Sequence, residues 1–163
     1  MQRNIIRILG FNKGSFPSKY LGVPLGKGTI KKYSWKDLID RIRGRLSRWV
    51  LKPLNFPSHL VLVKSVLQAM PLHLFFVLAA LSSILKKIKS LQRAFLWGGT
   101  VDKTKWALVS WETLCRPKLD GSLGLRDPII NNKIGNAKLW WRWITQSNEP
   151  WTLLWHKNYA PNH

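Results

Sequence analysis

Acidic residues are the sharpest deficit of this sequence: seven Asp and Glu in 163 residues, against 27 Lys and Arg, for a formal net charge of +20. With so few carboxylates, most cations have no internal partner, which rules out a surface balanced by ion pairs and calls for a polyanionic partner. Metal-assisted phosphoryl transfer needs paired carboxylates around its ions. The only close acidic pair is Asp37 and Asp40 in an Arg-rich stretch, and helix-dipole and i,i+4 pairing with Arg41 accounts for it. Cysteine is nearly absent. The single Cys115 excludes an internal disulfide and points to a reducing, intracellular setting. It also excludes a zinc constellation, because no second Cys exists and His59, His73, His156 and His163 show no ligand spacing. Long apolar runs are scarce as well. The 21 uncharged residues Ser65–Leu85 have the length of a bilayer span, but Gln68, Pro71, His73, Ser82 and Ser83 interrupt them, so they read as two buried core segments.

What is present is an ordinary apolar share, 45%, together with ten Trp. That share suits one folded domain's worth of chain. The charge is uneven: net +11 over residues 1–57, +5 over 58–100 and +4 over 101–163. Residues 1–33 hold no acid, a composition shared with mitochondrial presequences. Their Gly and Pro residues break any long amphipathic helix, so a basic region of short strands, turns and a small hairpin is expected.

From Ser34 the pattern becomes helical. Trp35, Leu38, Ile39, Ile42, Leu46 and Trp49 form one stripe, with Ser34 as the expected N-cap and Pro53 as the stop. Arg41, Arg45, Arg48 and Lys52 line another face. A second helix is expected over Ser58–Met70, buried through Leu60, Val63, Val66 and Leu67 and ended or kinked by Pro71. A third starts near Ser82 or Ser83, with Ile84, Ile88, Leu91 and Phe95 inward and Lys86, Lys87, Lys89 and Arg93 left for solvent or phosphate; Gly98-Gly99 closes it. Residues 100–127 read as loop and short strand. Asp127-Pro128 signals a last helix to about Thr145, with Ile134, Ala137, Trp140, Trp141 and Ile144 near one side.

Gly22-Val-Pro-Leu-Gly26-Lys-Gly28 lacks the spacing and the terminal Lys-Ser/Thr of a phosphate loop, so a turn beside nucleic-acid backbone suits it better. Trp35 and Trp49 read as core. Trp140, Trp141 and Trp143 cannot all face one way on a helix, so at least one belongs at a surface. A row such as Arg41/Arg45/Arg48 is ordinarily a solvated face; here the missing acids favour phosphate contact.

Several segments, in this order and spacing, carry a resemblance. They are Gly14-Ser-Phe-Pro-Ser-Lys-Tyr-Leu-Gly-Val-Pro-Leu25, Arg45-Leu-Ser-Arg-Trp49, Val63-Lys-Ser-Val-Leu-Gln-Ala-Met-Pro71 and Phe95-Leu-Trp-Gly-Gly99, then Lys105-Trp-Ala-Leu-Val-Ser-Trp111, Cys115-Arg-Pro-Lys118 and Leu123-Gly-Leu-Arg-Asp-Pro128. Over nearly its whole length the chain resembles part of the reverse transcriptase of plant LINE-type (non-LTR) retrotransposons. The resemblance implies that Tyr20-Leu21-Gly22 matches the primer-grip turn closing the palm, that the following helices are the thumb holding a template–primer duplex, and that the last part leads toward a zinc-binding segment. The family's catalytic aspartates would lie upstream of residue 1, and its zinc ligands and any ribonuclease H downstream. His59 stands where the family usually has Arg, and Ser122 where it has a second Gly.

The expectation is therefore a mainly α protein: a thumb-like helical bundle over 34–99, a small N-terminal β-hairpin within 1–33, and a loop and Trp-rich helix over 100–163 with short strands near 104–126. Tyr20, Leu21, Gly22, Lys36, Arg41, Arg45, Arg48, Lys52, Lys86, Lys87, Lys89 and Arg93 are the expected nucleic-acid contacts. No catalytic residue, metal or cofactor is expected. The expected partners are an RNA or DNA template–primer backbone and other parts of a retrotransposon polyprotein, in an intracellular setting where the nucleus is favoured and the mitochondrion left open. Two alternatives stand beside this reading: a small basic protein spanning a membrane with 65–85, and an inert, poorly folded retrotransposon relic with exposed apolar patches.

Overall fold

The computed structural model describes residue 10 and residues 18–20, 22–25, 32–99, 105–145 and 148–159. It is mainly α with one small antiparallel hairpin, and the chain divides into two units, Met1–Lys36 and Asp37–His163. In the first unit, β1 (Ser18–Tyr20) pairs with β2 (Val23–Leu25), with Ser18 opposite Leu25 and Tyr20 opposite Val23. A link of two residues suffices because Gly22 takes a φ of 80°, which a side chain would disfavour. Leu21, the turn at Gly26–Gly28 and most of the presequence-like stretch lie outside the described residues.

Helix α1 (Lys36–Val50) follows a 3-10 turn, Lys32–Trp35. Ser34 falls inside that turn and is not the N-cap expected for it. The tight turn itself leads into the helix, where i→i+3 bonds can take up end groups that a cap would otherwise serve. The apolar stripe is as expected: Trp35, Leu38, Ile39, Ile42 and Leu46 are buried, and Trp49 meets the Phe95 ring at 5.5 Å.

The second helix starts earlier than expected and ends sooner. α2 (Phe56–Leu62) is capped by Asn55, whose Oδ1 accepts from the Ser58 N–H at 3.0 Å. From Val63 to Leu67 the backbone widens into a π-helical turn, in which the Gln68 N–H reaches the Val63 carbonyl at 2.9 Å. Gln92, buried at 1% exposure, donates to the Leu67 carbonyl there. A turn through Pro71 then starts a separate helix, α3 (Leu72–Val77). The uncharged run is thus split into short pieces, and among the described residues no helix is long and apolar enough to cross a membrane.

α4 (Ser82–Leu96) is the central element. Eight of its residues are buried, including all four of the expected stripe, and it packs against α2, the π turn and α6 (Pro128–Thr145). It ends where Gly98, at φ 69°, lets the Gly99 N–H reach back to the Ala94 carbonyl at 2.8 Å and the Gly98 N–H to Phe95 at 3.0 Å.

Residues 105–127 correct the expectation of short strands, since no described residue there is extended and paired. Ser110 accepts from the Thr113 N–H at 3.1 Å and nucleates a one-turn helix, α5 (Trp111–Leu114). A 3-10 turn, Lys118–Asp120, follows. The run Trp106–Trp111 lacks the alternation of a strand, and among the described residues no neighbouring strand completes its hydrogen bonds.

α6 begins at Pro128 behind Asp127, whose Oδ1 accepts from the Ile129 N–H at 2.7 Å. At least one of Trp140, Trp141 and Trp143 is expected at a surface, and Trp140 and Trp141 are exposed, as are Ile134 and Ile144; Pro128, Asn132 and Gly135 are buried. The cause is the close crossing with α3. A Cβ on Gly135 would sit 2.5 Å from the Phe75 carbonyl oxygen. Asn132 donates to the carbonyls of Phe75 (3.1 Å) and Leu78 (2.8 Å) and accepts from the Ala80 N–H (3.1 Å), so one amide satisfies the end of α3. α7 (Pro150–Tyr159) is tied back to α6 by Arg142, which donates to both oxygens of Glu149, and by Trp143 against Trp155 at 6.0 Å.

Asn132→Ala is expected to lower stability by about 1–3 kcal/mol, the cost of stranding buried polar groups. Gly135→Ala should cost a similar ~1–3 kcal/mol through overpacking. Gly44→Ala, on α1 with open space around it, should stabilise by roughly 0.5–1 kcal/mol. Thermal or urea melts of the three variants check the opposite signs.

Candidate nucleic-acid interface

The outward face of α1 meets the π turn and α3 in a groove of about 550 Å³. Arg41, Gly44, Arg45 and Arg48 form one wall; Ser65, Ala69 and His73 lie on the other. The Arg41 Nε donates to the Asp37 carbonyl at 3.4 Å and the Arg48 Nε to Gly44 at 3.1 Å, which lays the two stems along the helix. Among the described residues no carboxylate pairs with Arg41, Arg45 or Arg48. Their guanidinium groups remain available for planar, bidentate contact with an oxyanion.

A second hollow, about 520 Å³, lies along α4 and is lined by Lys86, Lys89, Ser90, Arg93 and Lys105. Lys86, Lys87 and Arg93 are exposed as expected. Lys89 is not left for phosphate. Its Nζ contacts Glu112 at 2.8 Å and Asp127 at 3.1 Å, joining α4, α5 and the start of α6. Burial opposes the Lys89 charge, but hydrogen bonds to Glu112 and Asp127 outweigh it and raise its pKa; the same hydrogen bond lowers that of Glu112. Cys115, nearby, has its thiol pushed up to about 11 by burial and by the Asp127 and Glu112 charges.

Lys52 departs from the Arg41/Arg45/Arg48 row. It lines a third cleft, about 690 Å³, at the C-terminal ends of α1 and α4, with Phe56, His59, Trp97 and Lys105. Burial lowers the His59 pKa and Lys105 adds to the effect, against a hydrogen bond with the Leu96 backbone. The remaining expected contacts lie elsewhere. Tyr20 and Gly22 are exposed on the hairpin of the N-terminal unit, Lys36 is exposed at the first residue of α1, and Leu21 is outside the described residues. Lys87 lines none of the three hollows. Ser65, His73 and Lys105 join these hollows with no periodic link to α1 or α4, because only packing of separate segments brings them together; Gly44 shares the helical spacing of Arg41, Arg45 and Arg48. Of the two departures from the family pattern, His59 packs on Phe95 with ring centroids 4.6 Å apart, and the Ser122 hydroxyl donates to the Thr113 carbonyl.

Among the described residues no three His, Cys, Asp or Glu gather where a metal ion could sit. The arrangement offers cations, hydroxyls and aromatic faces, which hold anions and planar groups.

No family model matches the chain, and no solved structure matches it. It is 36% identical over 137 residues to a protein of Arabidopsis thaliana provisionally named a ribonuclease H protein. The matched stretch is 84% of this chain and 22% of the relative, so the chain spans only about a fifth of the length of the protein it matches.

His59 should titrate with a midpoint below 6.5 by NMR. Because its folded pKa is depressed, the stability it contributes is present above the unfolded value and lost as pH falls below it. Cys115 should react with iodoacetamide at pH 8 far more slowly than a free thiol, and reach that rate on unfolding.

Proposed function

We propose that the chain is a non-catalytic part of an RNA-directed DNA polymerase of the plant LINE type, and that it grips nucleic-acid backbone without reading sequence. The observation that carries this is the groove in which Arg41, Arg45 and Arg48 stand together with no acidic partner among the described residues. Arginines in a row on a rigid helix match a repeating line of phosphates, and phosphate contacts carry no base information. Gly44 leaves the wall of the groove low between them, so a backbone can approach the helix closely. Lys86 and Arg93 supply a second cationic patch on α4.

The ordered motifs of the sequence support the polymerase assignment, with the α1–α4 region as thumb and Tyr20-Leu21-Gly22 as primer grip. The match to part of a longer protein named for ribonuclease H suits a segment of a polyprotein that handles RNA and DNA. Chemistry is not assigned to this chain. Two of its few acids, Glu112 and Asp127, already hold Lys89, and two-metal catalysis needs carboxylates free to bind ions. The expected partners are a template–primer duplex and other parts of the same polyprotein, in the nucleus.

Titration with a template–primer duplex tests the reading. With ~6–8 phosphates neutralised, log K should fall with log salt at a slope of about −5 to −7. The Arg41→Ala, Arg45→Ala, Arg48→Ala triple variant should make that slope shallower by about 3. Undetectable binding at low salt, or an unchanged slope in the triple variant, would remove the groove from the account. Nucleotide incorporation by the purified chain would overturn the non-catalytic assignment.

A further inference from the structure

The cleft at the ends of α1 and α4 differs in chemistry from the two cationic grooves. Its wall is aromatic: the Phe56 and Trp97 rings lie 5.5 Å apart at 31°. Phe56 is 41% exposed, which leaves part of its ring uncovered. The Trp97 Nε1 is buried and has no hydrogen-bond partner. Lys52 and Lys105 are the cations among the described residues of the lining, and no acidic residue joins them there. Lys105 also lines the hollow that holds Lys86 and Arg93, so cleft and cationic patch meet at one side chain. A ligand suited to both must be flat and apolar in one part and anionic beside it. An unpaired nucleotide has that form, because every base offers a π face and carries a phosphate on either side.

We infer that this cleft takes the base of an unpaired nucleotide, stacked on Phe56, while Lys52 and Lys105 hold its flanking phosphates. The inference rests on the backbone-gripping role proposed above and adds to it a preference for a duplex bearing a single-stranded end.

The test compares a blunt duplex with the same duplex carrying an overhang in which 2-aminopurine replaces the first unpaired base. The full chain should bind the overhang more tightly and change the 2-aminopurine fluorescence. Phe56→Leu should weaken overhang binding by about tenfold, within the range of a lost stacking contact, and leave blunt-duplex affinity unchanged. Equal affinity for the two duplexes, or an overhang affinity unaffected by Phe56→Leu, would overturn the inference. Should Phe56→Leu fail to fold, the pair Lys52→Gln and Lys105→Gln replaces it, and unchanged overhang preference in that variant would overturn the inference equally. Adenosine monophosphate should displace the probe; displacement by an acidic aromatic peptide alone would assign the cleft to a protein partner instead. Loss of blunt-duplex binding with a retained, Phe56-dependent overhang signal would sink the backbone grip and leave the base site standing.

Discussion

Unpaired charge cannot be buried, and this chain has 27 cationic side chains with only seven carboxylates to offset them. That constraint shapes the helical body. Each helix that enters the core must turn its Lys and Arg outward together, so the buried stripe of α1 fixes where Arg41, Arg45 and Arg48 emerge. α4 obeys the rule at its limit. With eight residues buried, it has little surface left for Lys86, Lys87 and Arg93. Lys89 falls where the faces meet, and it is drawn in only because Glu112 and Asp127 hold it on two sides. Two of the scarce acids thus clamp helices together, and among the described residues the cationic surface is left with few internal partners.

Polar groups in the interior follow the same logic. Gln92 satisfies the Leu67 carbonyl, whose i+4 residue is Pro71 and has no N–H to offer, and Gln68 donates to the Arg126 carbonyl. Asn132 closes the end of α3 with three hydrogen bonds. Each amide sits where a helix breaks or crosses closely and ordinary i→i+4 bonding runs out. These breaks also shape the interface. The π turn and α3 form the far wall of the arginine groove, and the glycine stop of α4 borders the aromatic cleft. Interruptions of the helices therefore supply the concave surfaces that unbroken helices would not.

Much of this was legible in the residues. The apolar spacing from Trp35 to Trp49 and from Ile84 to Phe95 marked the buried faces correctly, because repeated i, i+3, i+4 contacts leave a periodic trace. Asp127-Pro128 marked the start of α6, since a cap and a Pro at the first turn act locally. The buried face of α6 was not legible. A stripe of Ile and Trp there resembles core by composition, but burial depends on how closely α3 can approach, and only Asn132 and Gly135 permit that contact. The strands expected near 104–126 failed for a related reason: short apolar runs become strands only when a partner edge exists.

By itself the sequence determined the helical class, a small N-terminal hairpin, the inward stripes and the excess of positive charge, which follow from composition and from neighbours within a few residues. Tertiary structure alone decided what each group of cations faces. It set Arg41, Arg45 and Arg48 opposite His73, sent Lys52 to a different cleft, and joined Lys89 to two acids. The physical reason is that an ionic or aromatic site is a matter of distance between segments far apart in the chain, and no local pattern records the angle at which helices cross.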